Sequence, residues 1–119
     1  EHPPKGYDGY RLLANYPNPF NPSTKIPYRL KEAGHVRLSI YDLKGELVRI
    51  LVNEWQEKGY YEVVFQPNAD DKKKITKMEV MMGKTYSDLS SGLYIYMIQV
   101  VNENNIPVFT DSEKMILLK

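Results

Sequence analysis

The segment HVRLSIY, His35 to Tyr41, alternates without a break: Val36, Leu38 and Ile40 are apolar, and Arg37, Ser39 and Tyr41 follow them in turn. A helix gathers residues three and four apart, so this order would scatter its apolar side chains around a cylinder. A strand puts all three on one side. The period of two therefore predicts a half-buried strand with one face on a core and the other toward water.

The same period recurs along the chain. Lys25–Leu30 places Ile26, Tyr28 and Leu30 on one face, and Gly59–Phe65 does the same with Tyr61, Val63 and Phe65. Gly92–Val101 is apolar on both faces, as expected of a strand through the centre of a sheet. Val108–Leu118 is the last strand, reached through the hairpin loop NENNIP, Asn102–Pro107. Turn residues stand between these runs: KEAG ends at Gly34, DLKG at Gly45 and EKG at Gly59. In DLKG, aspartate opens and glycine closes the connection, the preference of a type I turn. Leu47–Trp55 carries two patterns, because Leu47, Val48, Leu51, Val52 and Trp55 also share a helical face. Its β-branched residues Val48, Ile50 and Val52 favour strand for the first half. Short strands and turns at even spacing predict an all-β sandwich or barrel rather than a parallel sheet with helical crossovers.

The 119 residues suit one domain with one core, and 42% hydrophobic against 26% charged residues is the balance of a chain that folds. A net charge of +1 supplies no global field for nucleic acid, so no nucleic-acid partner is expected. No apolar run approaches the roughly 20 residues of a membrane-spanning helix, and no membrane insertion is expected. Without cysteine there is no disulfide framework, thiolate metal site or cysteine nucleophile.

EHPPKGYDGY, residues 1–10, has the composition of an interdomain linker, with the domain expected over 11–119. It has no apolar signal segment, so the chain is expected to follow an upstream domain. The alternation fades over 67–91, expected to be a long connection or a small extra hairpin, with ITKMEVMMG as its one strand-like run.

Candidate chemistry is sparse. His2 falls in the linker and His35 opens a strand, a placement that suits surface histidines better than metal ligands. Asp70 and Asp71 are adjacent, not alternate as in an EF-hand, and with Lys72, Lys73 and Lys74 they suit a solvated loop. Tyr60, Tyr61, Tyr94 and Tyr96 offer a stacking platform for sugar rings or single-stranded nucleic acid, but tyrosines in strands more often serve core and sheet surface. Asp88, Ser90 and Ser91 before Gly92 form a polar turn into the long strand. No nucleophile-and-base set or phosphate-binding glycine motif appears, so neither enzymatic activity nor a cofactor is expected.

The remaining feature is NYPNPFNPST, Asn15–Thr24. Pro17, Pro19 and Pro22 remove three backbone donors and restrict the residues before them, which predicts a rigid corner that does not pair in a sheet. Asparagine side chains are suited to satisfy the open backbone groups, and Phe20 to pin the corner into the core. Such a corner lets a strand leave one sheet and join the opposite one.

NYPNPFNPST, followed in order by EAGHVRLSIYDLKGELVRILV (Glu32–Val52), GYYEVVF (Gly59–Phe65), SGLYIYMIQV (Ser91–Val100) and SEKMILLK (Ser112–Lys119), resembles the type A C-terminal sorting domain of type IX secretion cargo. The resemblance spans nearly the whole chain after the linker and departs from the family pattern only over 67–88, where the connection is longer. It implies an immunoglobulin-like β-sandwich of about seven antiparallel strands, non-catalytic, that directs an upstream cargo through the periplasm and across the outer membrane of Bacteroidota-type bacteria to the cell surface or medium. The implied partners are the outer-membrane secretion translocon and a sortase-like cysteine protease. Carried onto this sequence, the family's blocks are Pro17, Asn18, Pro19 and Phe20; Tyr41, Asp42, Leu43 and Gly45; Gly92 and Tyr94; and Lys114, Met115, Leu117, Leu118 and Lys119. The rival reading is a carbohydrate-binding or adhesive module, or a structural sandwich packed against a neighbouring domain or filament.

Overall fold

The structure, a computed structural model, describes residues 9–67 and 89–118. These form seven strands: β1 (Arg11–Leu12), β2 (Thr24–Leu30), β3 (Gly34–Tyr41), β4 (Leu47–Gln56), β5 (Gly59–Phe65), β6 (Gly92–Val101) and β7 (Pro107–Leu117). They make two sheets, ordered β1-β2-β5 and β4-β3-β6-β7, with every neighbouring pair antiparallel. The chain is an all-β, immunoglobulin-like sandwich. Its fourth strand pairs with the third instead of joining the first sheet as in the constant-type arrangement, which gives three strands facing four.

The alternation read from the sequence is the alternation of burial. Ile26, Tyr28 and Leu30 from β2 meet Val36, Leu38 and Ile40 from β3 and Tyr96, Ile98 and Val100 from β6, all of them essentially inaccessible to water. Each such side chain contributes roughly 1.5 to 3 kcal/mol on leaving water, so a one-residue slip in any of these strands would turn its apolar set outward. β6 has neighbours on both edges, β3 and β7, as its two apolar faces predict.

β4 is strand throughout, and its helical spacing has a physical source. The β3–β4 register shifts between Leu38 and Ser39 and again between Ile40 and Tyr41. Each shift resets which β4 side chains face inward. Val48, Leu51 and Val52 consequently all pack against the core, although a regular strand would send neighbours to opposite faces.

The β3–β4 and β6–β7 turns share one geometry. In the first, the Gly45 amide donates to the Asp42 carbonyl at 3.0 Å, and Asp42 Oδ1 accepts from the amides of Lys44 and Glu46. In the second, Asn105 donates to the Asn102 carbonyl at 2.9 Å, and Asn102 Oδ1 accepts from Asn104 and Ile106. Both close on a left-handed residue, Gly45 at φ +85° and Asn105 at φ +63°. One difference from the sequence expectation lies at the start: Tyr10, grouped by composition with the linker, stacks on Phe109 with ring centroids 5.3 Å apart. The expected extra strand in ITKMEVMMG, together with His2, Asp70, Asp71, Lys72, Lys73, Lys74, Asp88 and Lys119, lies outside the described residues.

Candidate functional site

Three of the corner's residues are prolines without a backbone donor, and two of the others, Tyr16 and Phe20, use theirs to bridge to a strand. Tyr16 donates to the Lys25 carbonyl and accepts from the Lys25 amide, both at 2.9 Å, an antiparallel bridge onto β2. Phe20 donates to the Ile116 carbonyl at 2.9 Å and accepts from the Leu118 amide at 3.0 Å, a parallel bridge to Leu117 beside β7. The corner therefore crosses from the first sheet to the second between Tyr16 and Phe20. The expectation that it does not pair is corrected: it pairs at single points, where proline has not removed the donor.

Side chains hold the crossing in place. Asn15, 4% exposed, donates through Nδ2 to Thr24 Oγ1 at 3.0 Å and to the Pro17 carbonyl at 3.3 Å. Thr24 Oγ1 also donates to the Pro17 carbonyl, at 2.8 Å. Asn18 reaches the other way, its Oδ1 accepting the Ile116 amide at 2.9 Å. Phe20 is buried against Phe65, ring centroids 5.9 Å apart. Tyr96 donates its hydroxyl to the Leu13 carbonyl at 2.6 Å, tying the central strand to the start of the corner.

The strand register gathers the remaining motif residues at the same end of the sandwich. Leu117 lies opposite Gly92, Ile116 opposite Leu93, Met115 opposite Tyr94 and Lys114 opposite Ile95. Ile95 in turn lies opposite Tyr41, which leads into the Asp42–Gly45 turn. Tyr94 donates its hydroxyl to the Ser90 carbonyl at 2.8 Å, four residues upstream, the tyrosine corner of immunoglobulin sandwiches. Thus Pro17, Asn18, Pro19, Phe20, Tyr41, Asp42, Gly45, Gly92, Tyr94, Lys114, Met115, Leu117 and Leu118 come together from four separate stretches of sequence.

Most of these groups face inward or serve turns. Met115 and Leu117 are core, whereas Lys114, Ile116 and Leu118 turn outward, with Ile116 and Leu118 39% and 50% exposed. Tyr16, at 71%, and Leu43, at 65%, add apolar surface to that end. Leu43 belongs to the turn block, whereas Tyr16 and Ile116 are not among the block residues that the resemblance implies. The alternation of MILL, with Met115 and Leu117 inward, was the signal for Ile116.

The candidates for other chemistry resolve differently. His35 Nε2 lies 2.7 Å from Asn53 Oδ1 on the exposed side of the second sheet. Among the described residues, no three His, Asp or Glu side chains converge as a metal site would require. Tyr94 and Tyr96 are core residues and Tyr61 stacks on buried Tyr28 at 5.3 Å, so the four tyrosines form no common stacking platform. Burial pushes the Tyr28 hydroxyl up to about 12, opposed by its hydrogen bond to Gln56 Oε1 at 2.6 Å. Burial likewise raises Tyr96, helped by the negative charge of Glu113. These are structural hydroxyls, held neutral by the core.

No protein-family model matches the sequence, and no curated protein matches it. Among solved structures, the chain is similar to CopC from Methylosinus trichosporium OB3b, with a TM-score of 0.48 and 14% identity over 91% of this chain and 92% of that one. The fold assignment rests on the strand topology and the tyrosine corner, not on that likeness.

Proposed function

We propose that the chain is a non-catalytic C-terminal sorting and anchoring domain of the type IX secretion class, carried by an upstream cargo and recognised at the end of the sandwich where the corner meets the last strand. The observation that supports this reading is the Phe20–Leu117 bridge. It joins the first and last motif blocks through backbone hydrogen bonds, buries Met115 and Leu117, and leaves Lys114, Ile116 and Leu118 presented on a braced strand. A partner that reads this end reads a folded object, because Phe20 is far from Leu117 in sequence. The partners of this reading are the outer-membrane translocon and a sortase-like protease, and the destination is the cell surface or medium by way of the periplasm.

The test is a fusion of the chain to the C-terminus of a periplasm-directed fluorescent protein, expressed in a bacterium with type IX machinery and in the same strain lacking the translocon. Fluorescence is expected on the surface or in the medium of the first and in the periplasm of the second. Retention in the periplasm of both strains would refute the reading.

A carbohydrate-binding module is the second reading, and Trp55 favours it. Trp55 is 46% exposed and lies opposite His35 on the outer sheet face, near the hydrogen-bonding group of Asn53. Aromatic faces with adjacent polar groups suit sugar rings. A glycan array separates the two: reproducible hits lost in Trp55→Ala favour the module, and a blank array favours the sorting domain.

A further inference from the structure

The end of the sandwich opposite the motif cluster holds a cleft of about 430 Å³ lined by Arg29, Leu30, Lys31, Glu32, Lys58 and Gly59. It forms where the β2–β3 turn lies beside the β4–β5 turn, with Leu30 paired to Gly59 across the first sheet. Among the described residues that line it, Arg29, Lys31 and Lys58 supply three positive charges against the one carboxylate of Glu32, in a chain whose net charge is only +1. Like charges converge on a concave surface at an energetic cost that an anion relieves. Arg29 adds a second observation, because its Nε is buried and has no hydrogen-bond partner among the described residues. A buried N–H without an acceptor costs about 1 to 3 kcal/mol, more when the group is charged. Arg37 Nε is likewise buried without a hydrogen-bond partner among the described residues, but its strand neighbours are Asn53 and Gln99, not cations.

We propose that this cleft binds a phosphate group, carried by a soluble molecule or by a lipid headgroup. A phosphate monoester brings close to two negative charges and three acceptor oxygens on one small centre. The two terminal Nη groups of the Arg29 guanidinium are suited to take two of those oxygens in parallel, and the ammonium groups of Lys31 and Lys58 act as mobile point charges at the rim. Both lysines are exposed, so they reach a ligand without rearranging the core.

The test is a titration of the isotope-labelled chain with inorganic phosphate, followed by NMR against chloride of matched ionic strength. Saturable shifts are expected at the amides of Lys31, Lys58 and Gly59 and at Arg29 Nε. Arg29→Gln should weaken binding about tenfold or more, as loss of a charged hydrogen bond implies. Lys58→Gln, at an exposed turn position that leaves the fold intact, should weaken it less, and Lys44→Gln at the opposite end should leave it unchanged. Shifts that do not saturate, that spread over every lysine, or that persist unchanged in both Lys58→Gln and Arg29→Gln would overturn the proposal. Sedimentation with phosphatidic acid vesicles, but not phosphatidylcholine vesicles, would assign the phosphate to a lipid; saturable phosphate binding without sedimentation would assign it to a soluble molecule.

Discussion

At the scale of single residues, Asn15 and Gly45 illustrate two ways in which local chemistry fixes the backbone. Asn15 is buried and bonds both Thr24 and the Pro17 carbonyl, so Asn15→Ala removes a donor that the corner uses twice. The expected loss is about 1 to 3 kcal/mol, measured by urea unfolding. Gly45 occupies φ +85°, where a Cβ meets no neighbour but the backbone itself resists an L side chain. Gly45→Ala should cost about 1 to 2 kcal/mol for that reason alone. Asn105 tolerates the same conformation through its short polar side chain, and Asn105→Gly should be neutral or slightly stabilising in the same assay. The turn at Asp42 was legible because aspartate and glycine have fixed jobs in a turn of this type. The roles of Tyr94 and Tyr96 were not: alternation places a tyrosine ring, but nothing local says that its hydroxyl ends on Ser90 or on Leu13.

At the scale of elements, the corner and β7 behave as one unit. Asn18 and Ile116 are 98 positions apart and share a hydrogen bond, a contact that no local pattern announces. Asn18→Ala should lower global stability by only about 1 kcal/mol, since the bond is exposed. Its sharper signature is local: the Ile116 amide should lose hydrogen-exchange protection while the Ile98 amide keeps its own. Equal loss at both would show that the corner is not a separate brace. Phe20→Ala removes the core anchor and should cost about 3 to 5 kcal/mol. The strand pattern was read well wherever burial was one-sided, as in β2 and β3. It was ambiguous in β4, where two register shifts bring Val48, Leu51 and Val52 to the same side and imitate a helix.

At the scale of the whole molecule, two sheets enclose a core that holds neutral tyrosines. Tyr28 titrates at about 12 in the fold, against roughly 10 for an ordinary tyrosine. The folded state thus keeps a proton that the unfolded chain has lost, and stability must fall as pH rises from about 10 toward 12. Tyr96 is shifted in the same direction. Urea midpoints should be flat up to about pH 9 and drop above it, and Tyr28→Phe should reduce that drop. An all-β sandwich or barrel of short strands was legible from periodicity and turns; the order of those strands in two sheets was not, nor was the two-residue β1, too short to show a period. That the motif blocks converge on one end was not legible either, because convergence is a property of register between distant strands. On the proposed function, this end of the folded sandwich, not the linear terminal peptide alone, labels the chain for export. The most direct measurement is export of the fluorescent fusion carrying Tyr16→Lys and Leu43→Lys, exposed positions at that end but outside the terminal peptide, whose replacement should change stability by no more than about 1 kcal/mol. The account predicts a fully folded domain whose cargo stays in the periplasm; export at the unmodified level would contradict it.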